Sequence, residues 1–207
     1  MDENGGLLKS MFIGVAGGTG AGKSTLCTSL MDTYPDRIGL IQLDDYFKPE
    51  REVPIHAGHS NWDHPDAIYF DKLVKDLENL SDGESIIANT KNDRLNPEYV
   101  RTGKRIAAEF HPKEIMLVEG FLVLFEERIR NLLTTSIWLE GSHEVRWKRR
   151  VHFKNNDYEE NVLPVMYKKF ALPSKKFAEH IFDAEKLNAG EIFKLAESIC
   201  LQYITKA

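Results

Sequence analysis

Eight consecutive residues, Gly17-Gly18-Thr19-Gly20-Ala21-Gly22-Lys23-Ser24, reproduce the spacing GxxxxGK[ST]. Glycines in this pattern let backbone N–H groups turn inward and approach phosphate oxygens. Thr25 follows where a helix should begin, and the partial positive charge of a helix N-terminus adds to the attraction. Lys23 can then reach the β- and γ-phosphates of ATP, and the Ser24 hydroxyl can ligate Mg2+. A glycine-rich structural turn is the alternative reading of the same residues.

Three further groups offer the remaining parts of phosphoryl transfer. Asp44 and Asp45 follow an apolar run at 38–43, and Tyr46 and Phe47 come directly after them as candidate acceptor contacts. A carboxylate here can take the proton of an attacking hydroxyl or hold Mg2+ through water; a turn-capping acid pair is the plain alternative. Glu119 ends a second apolar run, 115–118, and is followed by Gly120, which makes it a magnesium-side candidate. Asp63 stands ahead of a predicted helix, either as its cap or as a hydrogen-bond partner for sugar hydroxyls. Helical spacing puts Arg146, Arg149 and Arg150 on one face, where they could clamp a polyphosphate as a lid or form a solvated basic surface. Two GTPase-like fragments, Asp36-Arg37-Ile38-Gly39 and Thr90-Lys91-Asn92-Asp93, fail on context: one precedes its strand and the other lies in a predicted insertion.

These residues need a parallel sheet to bring them together. Runs at 11–16, 38–43, 115–118 and 135–139 have the length and branching of buried strands, with helical patterns between several of them, which predicts an α/β fold with a mainly parallel central sheet. The strand at 38–43 is expected to neighbour the phosphate-loop strand. Phe70, Leu73, Val74, Leu77 and Leu80 recur at helical spacing, with Pro65 expected in the first helical position and Ser81-Asp82-Gly83 as the stop. Residues 86–90 and 105–110 read as an irregular β-hairpin within an insertion at about 84–112, and the last twenty residues as a helix.

With 207 residues, 42% of them hydrophobic, the chain can bury roughly 70% of its unfolded surface, so one domain spanning 1–207 is expected. The net charge of −5 gives no global attraction to nucleic acid or an anionic membrane. The acidic opening MDENGG and the early glycines argue against a signal peptide or a membrane span, and two distant cysteines against a disulfide framework; a cytoplasmic location is expected. A small-molecule partner fits best, and a homo-oligomer is compatible with all of this.

Taken in order, GGTGAGKST, QLDDYFKP, NWDHPDAI, VEGFLVLF, Arg149-Arg150 and LPSKKFAEHIF resemble blocks of the uridine kinases and their relatives the nicotinamide riboside kinases, P-loop kinases of the phosphoribulokinase type. The resemblance covers most of the chain. It implies a three-layer P-loop NTPase fold with a small β-hairpin insertion and an Arg-rich helical lid at about 142–160. It further implies that Asp44 is the base toward the acceptor hydroxyl, that Asp63 holds ribose hydroxyls, and that Lys23, Ser24 and Glu119 serve phosphates and magnesium. The segment 146–154 would be the lid, with Arg150 acting on the transferred group. Two stretches depart from the family. Asn89-Thr90-Lys91-Asn92-Asp93-Arg94 lacks the aromatics and histidine that face a pyrimidine, and His152-Phe153-Lys154-Asn155-Asn156 is less basic than the usual lid. Uridine, nicotinamide riboside, and then a sugar or pantothenate are the acceptors this implies. A nucleotide-binding regulator without efficient transfer is the reading from another class, and the set Lys23, Ser24, Asp44 and Glu119 argues against it.

Overall fold

The computed structural model describes residues 9–92, 94–149 and 156–204. In chain order, β1 (Met11–Gly17) leads into α1 (Lys23–Thr33) and β2 (Ile38–Gln42) ends in a 3-10 turn, Leu43–Tyr46. A two-residue hairpin, β3 (Ile55–His56) and β4 (His59–Ser60), precedes α2 (Phe70–Ser81). The insertion holds β5 (Ile86–Thr90), the short α3 (Tyr99–Thr102) and β6 (Ile106–Phe110). Then follow β7 (Ile115–Glu119), α4 (Glu127–Arg130), β8 (Leu133–Glu140), α5 (His143–Arg149) and α6 (Asn156–Asn161). A helical run, α7 (Leu163–Met166), a π turn (Tyr167–Ala171) and α8 (Leu172–Ser174), leads to β9 (His180–Asp183) and α9 (Ala189–Tyr203).

Five strands form one parallel sheet in the order β2-β7-β1-β8-β9. Alternation along the strands divides the core between two faces. Phe12, Ile41, Met116, Val118 and Trp138 pack with Leu73 and Leu77 of α2. Ile13, Val15, Leu40, Leu117 and Ile137 pack with Leu26 and Leu30 of α1 and with Ile192 and Ile199 of α9. The result is the three-layer arrangement of helices on both faces of a parallel sheet. Among the described residues, no helix is long and apolar enough to cross a membrane.

Two expectations need correction. The strand bearing Asp44 does not neighbour the phosphate-loop strand; β7 lies between them, with Val15 and Gln42 both in register with Glu119. Every residue of β7 is buried, so it takes the position covered on both faces and paired on both edges. Pro65 starts a separate 3-10 turn, Pro65–Ala67, and α2 begins only at Phe70. The reason is local: His64 Nδ1 accepts from the Asp66 N–H at 3.1 Å, and Ile68 then extends to bridge Phe47.

The β5–β6 hairpin is antiparallel as expected, with Ile86 opposite Phe110 and Thr90 opposite Ile106. It stays outside the main sheet and buries Ile86, Ala88 and Phe110 against the α2 side of the core. Its loop end, where Lys91 follows β5 and Arg105 precedes β6, meets the acids at the carboxyl end of β2. Helix α9 opens with a full capping box, in which Asn188 and Glu191 each accept the other's backbone N–H.

Candidate active site

Parallel strands all end on one side of the sheet, and that edge is where ligands bind in open α/β folds. The loop after β1 turns through Gly20 (φ +79°) and Gly22 (φ +97°), both left-handed, before α1 starts at Lys23. A side chain at Gly20 would collide with the backbone carbonyl of Arg146, and one at Gly18 with the Arg146 guanidinium. Gly17 closes β1, Thr19 and Ala21 complete the loop, and Thr25 lies in the first turn of α1. Lys23 is buried, its ammonium donating to the Gly18 carbonyl at 3.2 Å and standing 4.0 Å from Glu119 Oε1. Ser24 is exposed on the opposite side of the helix start.

Glu119 is also buried and accepts from Gln42 Nε2 at 3.1 Å. Burial pushes its carboxyl up, Lys23 pulls it back, and the charge of Asp44 pushes it up again. A buried acid under the charge of Asp44 suits a hard divalent cation, to which Ser24, Asp44 and Glu119 could offer oxygen donors. Among the described residues no group of three or more acids, histidines or cysteines could hold a metal ion. Any Mg2+ here must take further ligands from phosphate oxygens and water.

The adjacent acids after β2 part company. The Asp45 side chain is 2% exposed, accepting from Arg105 Nη1 at 2.8 Å and from the Lys91 N–H at 3.2 Å; burial raises its pKa against those partners. The Asp44 side chain is 38% exposed, and its Oδ2 lies 2.5 Å from Lys91 Nζ. Asp44 lines a cavity of about 570 Å3 together with Ser24, Gln42, Lys91, Arg94 and Tyr99, bounded by α1 on one side and the insertion on the other. A second cavity, of about 310 Å3, opens beyond the loop and is lined by Gly22, Thr25, Arg149 and Asn188. The first turns of α1 thus stand between two chambers, one lined by Asp32, Asp44, Lys91 and Arg94 and the other uncharged apart from Arg149.

Arg146 is 3% exposed and far from a solvated face. It donates to the carbonyls of Gly141 at 3.0 Å and Thr19 at 3.1 Å, and stacks over the Tyr167 ring at 4.3 Å. Arg149 reaches the Ala184 carbonyl at 2.9 Å on the rim of the second cavity. Arg150 lies outside the described residues, as do 151–155 of the expected lid. Asp63 is no helix cap, since His64 takes that place; it accepts from the Tyr158 hydroxyl of α6 at 2.7 Å and lines a small cleft with Gly18, Thr19 and Arg146. Asp63 does not line the chamber of Asp44. Tyr46 is not brought to either chamber: it is 2% exposed, with its hydroxyl on Asp76 at 2.8 Å inside the α2 contact. Phe47 is half-buried between Trp62 and Phe121, with ring centroids at 5.4 and 6.4 Å.

Sequence reasoning passed over Lys91, Arg105, Gln42 and Tyr158. Lys91 appeared inside a rejected GTPase fragment and in the stretch that departs from the family, with no role given to it. The signal that could have found it is the hairpin itself: residues 91 and 105 flank paired strand ends, so both cations must emerge together.

Residues 12–182 match the model of the phosphoribulokinase / uridine kinase family. The uridine kinase of Clostridium perfringens (strain 13 / Type A) is 34% identical over 185 residues, covering 84% of this chain and 86% of that protein. The uridine kinase of Clostridium novyi (strain NT) is 31% identical over 187 residues, covering 84% and 88%. Among solved structures, a phosphoribulokinase from Rhodobacter spheroides superposes with a TM-score of 0.61 at 13% identity, covering 84% of this chain and 70% of that one. A chain described as a possible uridine kinase from Bacillus stearothermophilus gives 0.58 at 17% identity, covering 84% and 89%. At those identities the two structures speak for the fold.

Proposed function

The chain belongs to the phosphoribulokinase / uridine kinase family and is an ATP-dependent small-molecule kinase, and on that premise we propose that it phosphorylates the ribose 5′-hydroxyl of a nucleoside, uridine being the first candidate. The observation that carries this reading is the position of Asp44. An accessible carboxylate faces a cavity large enough for a nucleoside, on the far side of Ser24 from the second chamber.

In this reading ATP lies across the loop, its triphosphate on the N–H groups of 18–24 and its base toward the chamber of Thr25, Arg149 and Asn188. The acceptor enters the Asp44 chamber. Its hydroxyl oxygen bonds to the γ-phosphorus as the bond from that phosphorus to the β–γ bridging oxygen breaks, and Asp44 takes the hydroxyl proton. Lys23 and Arg146 offset charge that grows on the equatorial oxygens. Ser24 and Glu119 would hold Mg2+, with Asp44 reaching it only through water, and the ion when bound would supply charge neutralisation and orientation of the phosphates. Asp63, whose Oδ2 accepts from the Tyr158 hydroxyl, lies outside the Asp44 chamber and would meet ribose hydroxyls only where the acceptor extends to the cleft of Gly18 and Thr19. A cytoplasmic location accords with two buried, unpaired cysteines, Cys27 and Cys200.

Coupled ADP release with ATP and Mg2+ tests the reading against uridine, cytidine, nicotinamide riboside, other nucleosides, pantothenate and simple sugars. Stimulation by a nucleoside, with a 5′-monophosphate as product, is the expected result. Stimulation by pantothenate or a sugar alone would move the acceptor class, and stimulation by none would overturn the reading.

A further inference from the structure

The loop end of the insertion hairpin grips the acid pair at two points. Arg105, just before β6, and the Lys91 N–H, just after β5, both hold the buried carboxylate of Asp45. The Lys91 ammonium reaches past it to Oδ2 of Asp44 at 2.5 Å. Asp45 therefore anchors the hairpin, and the anchored hairpin delivers one cation to one oxygen of the neighbouring carboxylate. Lys91 is half-buried, its side chain 29% exposed, and it also feels the charge of Glu119. Both members of the Lys91–Asp44 pair line the chamber assigned to the acceptor.

We propose that Lys91 is a positioning residue for the transfer reaction: by holding Oδ2 of Asp44 it fixes the carboxylate so that Oδ1 faces the acceptor hydroxyl. The inference rests on the reading of Asp44 as the base. An aspartate with one oxygen tied has little torsional freedom left, whereas an untied carboxylate in a 570 Å3 cavity can rotate toward water. A charge-assisted hydrogen bond at this distance is the strong kind, and a catalytic group displaced by about 1 Å costs on the order of 100-fold in rate. The insertion, which departs from the family at 89–94, thus acts on the chemical step as well as walling the chamber.

The test uses the full chain with uridine, or with whichever panel acceptor the wild type prefers. Lys91→Met should lower kcat about ten- to hundredfold, the range expected for a misplaced base, while the KM for ATP stays within about twofold, as expected when only transition-state interactions are lost. Lys91→Arg should restore most of the rate, because a guanidinium can still hold one carboxylate oxygen. Combined with Asp44→Asn, Lys91→Met should bring no further loss, because the two act as a unit. An unchanged kcat in Lys91→Met, or additive losses in the double variant, would overturn the proposal. A parallel rise in both Michaelis constants with a collapse in thermal unfolding temperature would do the same, by marking Lys91 as a strut. If the wild type phosphorylates no panel member, it is the nucleoside-kinase reading that fails. Lys91 is then judged on acceptor-free hydrolysis of MgATP, where equal loss in Lys91→Met and Asp44→Asn sustains it and a wild-type rate in Lys91→Met sinks it.

Discussion

Asp44 and Asp45 are neighbours in sequence with opposite duties. One is sealed under Arg105 and the other looks into a cavity, because consecutive residues of the 3-10 turn after β2 point to different sides. Asp44→Asn keeps the shape and removes the proton acceptor, so transfer should fall by about two to four orders of magnitude while ATP affinity holds. Stopped turnover assays alongside ATP titration check this, and unchanged turnover would remove Asp44 from the role. Gly20 offers a prediction of another kind. Its φ of +79° and its closeness to the Arg146 carbonyl leave no place for a methyl group, so Gly20→Ala should weaken ATP binding and lower the unfolding temperature together. An alanine variant that binds ATP normally would show that the loop can relax around it.

The elements carry their own signals unevenly. Asn188 and Glu191 form the reciprocal cap of α9 between chain neighbours, and such a cap owes nothing to distant contacts. Asn188→Ala should cost about 1 kcal/mol of stability, readable in urea unfolding; a cost near zero would mean that the packing of Ile192 and Ile199 alone fixes the helix start. At α2 the same kind of reasoning went astray. Pro65 is a good first helical residue, yet the His64 side chain captured the Asp66 N–H and the backbone bridge from Ile68 to Phe47 delayed the helix to Phe70. The hairpin of the insertion was legible from its two β-like runs, but its destination was not, because nothing in residues 86–110 says which acid its cations will meet.

The whole molecule is organised around β7, whose central position puts Glu119 between the loop of β1 and the acids after β2. Leu117 lies in the middle of that strand at 0% exposure, so Leu117→Ala should cost about 2–5 kcal/mol in urea unfolding with an unchanged denaturant slope. A smaller cost would mean that the α1 and α9 layer closes over the gap. The phosphate loop, the strand-end acids, the parallel sheet and the amphipathic α2 were all readable from the chain, because each is a local pattern whose physics lies in a few consecutive residues. The order of strands, the split between Asp44 and Asp45, the placement of Arg146 under Tyr167 and the arrival of Lys91 at Asp44 were not. These depend on which distant surfaces bury together, and residues 47 apart in sequence, such as Lys91 and Asp44, acquire a shared chemistry only when the core has fixed the distance between them.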